Sequence, residues 1–226
     1  MEEQGKATLC KRLEREFDDR FYALGGLLRL QDEFKNSSGK ICDRAIFLFK
    51  NAQYFLSPKA LDSFVEDFSY GYNNGTIEYI KSPIEQIFFV AFLSVLHQRI
   101  THESLGIHII PLCQCEFSTD GYNYVHDFAF DIFVNSLINH PSGHDYAFMS
   151  SVVVECDGHD YHNKTKRQVS NGNKRSNAMQ QSGLTVIHFN GSDLFKHPYQ
   201  CAEEAYCAII KSYKKDLRNW LQSEDN

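Results

Sequence analysis

Ser151-Val152-Val153-Val154-Glu155-Cys156-Asp157-Gly158-His159-Asp160-Tyr161-His162 carries a β-branched apolar run directly into carboxylates, a glycine and two histidines. Three consecutive valines read as a strand buried on both faces, a place from which charge is ordinarily excluded. Ending that strand with Glu155 and Asp157 costs desolvation unless something cationic meets them. Residues two apart on a strand point to the same side, so the spacing predicts both carboxylates facing one spot. A hard divalent cation such as Mg²⁺, which prefers carboxylate oxygens, is the simplest partner. The plainer alternative is that Asp157-Gly158 is a polar turn and Glu155 a solvated edge residue.

Upstream, Tyr124-Val125-His126-Asp127-Phe128-Ala129-Phe130-Asp131-Ile132 is a second strand with acids set among aromatics. Asp127 and Asp131 are four apart and share a face on a regular strand. Antiparallel pairing with residues 146–156, through the segment 135–145, puts one of the two aspartates near Glu155 and leaves the other as a surface residue. Further upstream, Ser82-Pro83-Ile84-Glu85 has an N-cap serine, proline at the first helical position and Glu at the third, ahead of an apolar run to Ile100. This is a capping box, and it predicts a helix start.

The remaining punctuation predicts strands over 107–117, 122–134 and 146–156, a polar helix over 166–182, a strand over 184–189 and a last helix over 200–221. Strands first, then a helix leading to a further strand, give an α/β class with a mixed sheet flanked by helices over 81–226. Residues 1–80 read as a helical N-terminal region. Leu13, Phe17, Phe21, Leu24, Leu27 and Leu28 recur at helical spacing, and further periodic stretches cover 44–55 and 59–70. That region supports a helical cap or a surface for a second copy or a protein partner.

With 226 residues, 42% hydrophobic and 14% aromatic content, the chain is long and apolar enough for a sizeable core and is not a disordered sequence. A net charge of −6 and a pI near 5.9 give no global signal for nucleic acid, so any such site has to be a local basic patch. Seven cysteines without framework spacing suggest reduced thiols. The acidic start, Met1-Glu2-Glu3, reads as no signal peptide, and the longest apolar run, Ile87 to Leu96, is too short to span a bilayer. The expectation is a soluble, cytoplasmic protein.

Residues 155–166, then Arg175, Gly183, Val186-Ile187-His188-Phe189, Gly191-Ser192 and Cys201-Ala202-Glu203-Glu204, resemble the bacterial DUF559-type endonuclease domains. These belong to the PD-(D/E)XK nuclease superfamily, close to the very-short-patch repair endonucleases. Ser82-Pro83-Ile84-Glu85 resembles the helix-borne glutamate that opens the same domain, so the resemblance covers about 82–208. It implies a restriction-endonuclease-like fold and Mg²⁺- or Mn²⁺-dependent hydrolysis of DNA. Asp127 or Asp131 takes the position of the family's strand aspartate, and Glu155 the acidic position of the (D/E)XK element. His162 matches the active-site histidine of the very-short-patch enzymes. Asp157 stands where the superfamily usually has lysine, Gly172 where the family often has aspartate, and His188 where it commonly has arginine.

Such a reaction needs a cation to neutralise charge developing on the phosphate and to lower the pKa of a water. Asp127 or Asp131 with Glu155 are the expected metal ligands, with Glu85 assisting. His162 titrates in the right range for proton transfer. Lys164, Lys166, Arg167, Lys174 and Arg175 concentrate positive charge in an otherwise acidic chain and suit contacts to DNA phosphates. Two other readings stand beside this one. Cys113 and Cys115 with His159 and His162 offer a zinc set, and the departures at Asp157, Gly172 and His188 are compatible with an inactive nuclease-fold module that binds nucleic acid or a protein.

Overall fold

The structure, a computed structural model, describes residues 42–57, 59–64, 80, 82–103, 106–119, 122–135, 146–158, 174 and 177–224. The helix expected across Leu13 to Leu28 lies outside them. Helix α1 (Asp43–Phe55) starts at Cys42, whose sulfur accepts from the Ala45 amide, and residues 59–64 are helical again. Helix α2 (Pro83–Glu103) begins at the proline that the capping signal marks, with Gln86 N–H donating to the Ser82 carbonyl.

Three strands follow close to their expected bounds: β1 (Ile107–Thr119), β2 (Tyr122–Asn135) and β3 (Tyr146–Asp157). Past a crossover whose described part is helical at 174 and 177–181 come β4 (Thr185–Asn190), a short helix α3 (Gly191–Lys196) that the sequence reading did not anticipate, and α4 (Pro198–Glu224).

The four strands form one sheet in the order β1-β2-β3-β4. Both β1–β2 and β2–β3 are antiparallel, and β4 joins β3 in parallel. The sheet is therefore mixed and flanked by helices, as the class reading expects. Pro111 is tolerated in β1 because that strand is an edge, where one side needs no ladder partner.

Helix α2 is apolar nearly all round: Ile87 through Leu93 are each at most 4% exposed. A helix of that composition must be covered on every side. Here the sheet lies on one side, with α1, α3 and α4 around the rest. Phe88 is fully buried at the centre, its ring 5.2 Å from Phe128, 5.8 Å from Phe92 and 5.8 Å from Phe189. Phe92 meets Phe130 at 4.2 Å between ring centroids. Ala45, Leu48 and Ala52 of α1 belong to the same continuous core, so the described part of the N-terminal region shares its core with the sheet. Val152, Val153 and Val154 are all buried, as a strand covered on both faces requires. Among the described residues, no helix is long and apolar enough to cross a membrane.

Two glycines set the chain path on either side of β4. Gly183 has φ of 83°, and it closes the preceding helical turn with Gly183 N–H to the Gln180 carbonyl and Leu184 N–H to the Met179 carbonyl. This is a Schellman ending, which favours glycine because L side chains are strained there. Gly191, at the start of α3, lies so close to β3 that a Cβ would stand 3.2 Å from the Asp157 carbonyl and 3.5 Å from the Ile84 side chain. The first turns of α2 and α3 thus meet the end of β3.

Phe88→Ala should cost about 3–5 kcal/mol of folding free energy, read as a lower urea midpoint with an unchanged slope.

Candidate functional site

Glu85 is carried into the interior by the first turn of α2, at the third helical position that Ser82 and Pro83 set. Its side chain is 9% exposed. Burial pushes its pKa up from 4.5 to about 7, and the Asp127 charge adds to this, as does Glu155 more weakly. Hydrogen bonds from Ser82 and Gln114 act in the opposite sense. The Gln114 contact is direct, Nε2 donating to Glu85 Oε2 at 3.0 Å.

Asp127 lies one residue beyond the last regular β2–β3 pair, Phe128 with Val154. Its Oδ2 accepts from the backbone N–H of Cys156 at 2.7 Å, so a carboxylate stands in for a ladder carbonyl. Glu155 is 5% exposed, and its Oε1 lies 2.9 Å from Nδ1 of His126. The contact joins an imidazole nitrogen to a carboxylate oxygen inside the core. His126 is itself 1% exposed, and its Nε2 is buried with no hydrogen-bond partner among the described residues. Asp157 is half-buried, with Oδ2 at 3.3 Å from Nδ1 of His188, and His188 in turn is registered beside Glu155 on β4.

Cys156 reports the sum of these charges. Its thiol is pushed well above the usual range, first by burial and then by Asp127, Glu85, Glu155 and Asp157. Four carboxylates from α2, β2 and β3 therefore act on one point at the end of β3. All the donors are hard oxygens, which suits Mg²⁺ or Mn²⁺ and fits zinc poorly. As the side chains stand, no group of three or more His, Cys, Asp or Glu among the described residues is gathered closely enough to hold a metal ion. Asp127 is turned to the Cys156 amide, Glu155 to His126 and Glu85 to Gln114.

Of the two strand aspartates, the register brings Asp127 to the cluster and not Asp131. Asp131 pairs with Ser151 on one side and Ile110 on the other, roughly 13 Å further along the strand. Its charge bears instead on Cys115. The zinc alternative gains nothing from its cysteines: the Cys113 thiol is raised well above its usual range by burial and then by Glu85, and Cys115 is raised by burial, Asp131 and Glu116. Zinc needs thiolates, which those surroundings oppose.

His159, His162, Lys164, Lys166, Arg167, Gly172 and Arg175 lie outside the described residues, and Lys174 is helical and exposed. The sequence reading assigned no role to His126 or Gln114. A histidine next to the strand aspartate was the available signal for the first; nothing in the residue pattern marks the second. Comparison with protein-family models, with curated proteins and with solved structures finds no match to this chain.

Because Glu85 holds its proton more tightly in the folded chain than in the unfolded one, its contribution to stability is complete below about pH 4.5 and is lost as the pH rises through about 7. Glu85→Gln abolishes that titration. Its stability relative to the unsubstituted chain should therefore improve by roughly 1–3 kcal/mol between about pH 5 and about pH 8, measured by thermal melting across that range without divalent cations.

Proposed function

We propose that this protein is a metal-dependent endonuclease that hydrolyses DNA phosphodiester bonds, using Mg²⁺ or Mn²⁺. The observation that carries the reading is the convergence of buried Glu85 and Glu155 and half-buried Asp127 at the end of β3 from three different elements, with Glu85 raised to about 7. Crowding carboxylates in a poorly solvated place is unfavourable by itself; a divalent cation turns that repulsion into attraction. The order of elements supports the same reading, since a helix bearing the glutamate, an antiparallel β1-β2-β3 meander and a parallel β4 agree with the domain that the residues resemble.

Glu155 and Asp127 are the ligands in this proposal, with Glu85 completing the oxygen set. A cation there would neutralise charge on the scissile phosphate and acidify a water. Asp157 occupies the place of the superfamily lysine and is turned to His188, so it shapes the strand end and is not the group that replaces lysine. Proton transfer falls to His162, as its match to the very-short-patch histidine implies. The basic run from Lys164 to Arg175, with Lys166, Arg167 and Lys174, supplies phosphate contacts that position DNA without reading its sequence.

Supercoiled plasmid incubated with the protein should be nicked or linearised in Mg²⁺ or Mn²⁺ and left intact in chelator. Glu155→Ala should reduce cleavage to background, and His162→Ala should slow it by about 10²–10⁴. Absence of cleavage on duplex, single-stranded and modified DNA and on RNA would overturn the proposal in favour of an inactive nuclease-fold module that binds nucleic acid or a protein.

A further inference from the structure

Helix α1 buries one side in the core and leaves aromatic side chains open along its flank. Arg44, Phe47, Tyr54 and Phe55 follow one another at helical spacing there, with Phe47 55% and Tyr54 78% exposed. Two neighbouring helices extend the same surface. Phe195 of α3 is 51% exposed, and the Arg44 guanidinium lies between it and Phe47, 5.6 Å and 5.5 Å from the two ring centroids. Tyr199, in the first turn of α4, meets Phe55 edge to face at 5.4 Å and donates from its hydroxyl to the Leu48 carbonyl at 3.5 Å. The cation in the middle is not spent on a carboxylate. Arg44 forms no ion pair with a described residue, and its Nε is buried without a hydrogen-bond partner among them. Lys50 and Lys196 are exposed on the same two helices, whose acids are Asp43 and an Asp193 held by Asn190. A contiguous open apolar surface rimmed by polar groups marks a place that something covers.

The chain itself carries a matching partner. Leu13, Phe17, Phe21, Leu24 and Leu28 recur as an apolar stripe, about four turns long as a helix. Between its ends stand four carboxylates, Glu14, Glu16, Asp18 and Asp19, against Arg15 and Arg20. Such a stripe has to be covered. Residues 29–41 tie it to Cys42, the N-cap of α1, so its association with α1 is intramolecular. The other exposed apolar places among the described residues match it less well. On the sheet, Ile110 is registered with Asp131 and Val125 with Glu116, acids that repel an acidic segment. At the end of α4, Trp220 and Leu221 are open, but two adjacent residues span less than one turn. We infer that the apolar stripe of residues 13–28 docks on the aromatic face of α1, α3 and α4, with a carboxylate of that segment on Arg44. The exposed rings of Phe47 and Phe195 offer Phe17 and Phe21 offset or edge contacts. The guanidinium, held between two rings, is already oriented to donate to a carboxylate.

Brief trypsin treatment of the full chain under native conditions tests this. Cleavage after Arg15 and Arg20, inside the stripe, is followed by mass spectrometry beside cleavage after Arg29 and Lys35, in the connecting stretch, with thermal melting of the same samples. Cleavage after Arg15 and Arg20 should be slow in the unsubstituted chain. Phe47→Ser combined with Phe195→Ser, both at exposed positions, should speed it roughly 10-fold or more. Arg44→Gln should speed it severalfold, and cleavage after Arg29 and Lys35 should stay unchanged in both variants. Where the double substitution lowers the melting temperature, Arg44→Gln decides. Rapid cleavage of the unsubstituted chain after Arg15 and Arg20 would overturn the docking. So would slow cleavage that none of these substitutions alters, that Phe148→Ser releases instead, or that rises equally at all four sites. Protection that disappears on dilution would assign the aromatic face to a second copy and overturn the intramolecular contact.

Discussion

An α-helix that is apolar on every side has to be covered on every side, and α2 obtains that cover from the sheet and from α1, α3 and α4. The burial extends to the helix's first turn, because Ile84 there packs where Gly191 and the end of β3 come closest. Glu85 shares that turn and goes down with it. The carboxyl is thus desolvated by the same packing that makes the core, and the rise of its pKa to about 7 follows from hydrophobic burial before any other charge is considered. The polarity of the site is built on the apolarity of the helix.

Once Glu85 is buried, the end of β3 becomes a place of concentrated negative potential. Asp127, Glu155 and Asp157 join it within reach of the Cys156 thiol, and each acid has a specific partner: an amide side chain, a backbone amide, a buried imidazole and an exposed imidazole. Such partners satisfy hydrogen bonding without neutralising the whole charge, and Glu85, the most desolvated by the helix, holds its proton up to about pH 7. Gln114, which donates to Glu85, has a left-handed backbone with φ of 51° inside β1, and local strain is tolerated where the rest of the fold is firmly held. Here the aromatic contacts of Phe88, Phe92, Phe128 and Phe130 supply that firmness a few residues away.

Much of this was legible in the residues. The capping box placed the start of α2, and the alternation and punctuation placed β1, β2, β3 and β4 to within a few residues. The valine run announced a strand covered on both faces. Less visible were α3, whose six residues carry no periodic signal, and the roles of Gln114 and His126. Glutamine in a strand has no marker for a left-handed backbone, and a strand histidine is ordinarily read as part of the face it alternates onto.

The sequence by itself determined which elements form and that acids end the central strand, because capping chemistry and the two hydrophobic periods are local properties of the chain. It left Asp127 and Asp131 equivalent, since residues four apart share a face on any regular strand. Only the tertiary structure decided between them: the β2–β3 register puts Asp131 opposite Ser151 and brings Asp127 to the Cys156 amide. Only the packing of α2 on the sheet brought Glu85, more than forty residues away in the chain, to the same point. Register and burial are set by contacts between distant segments, and it is those contacts that turn separate carboxylates into one site.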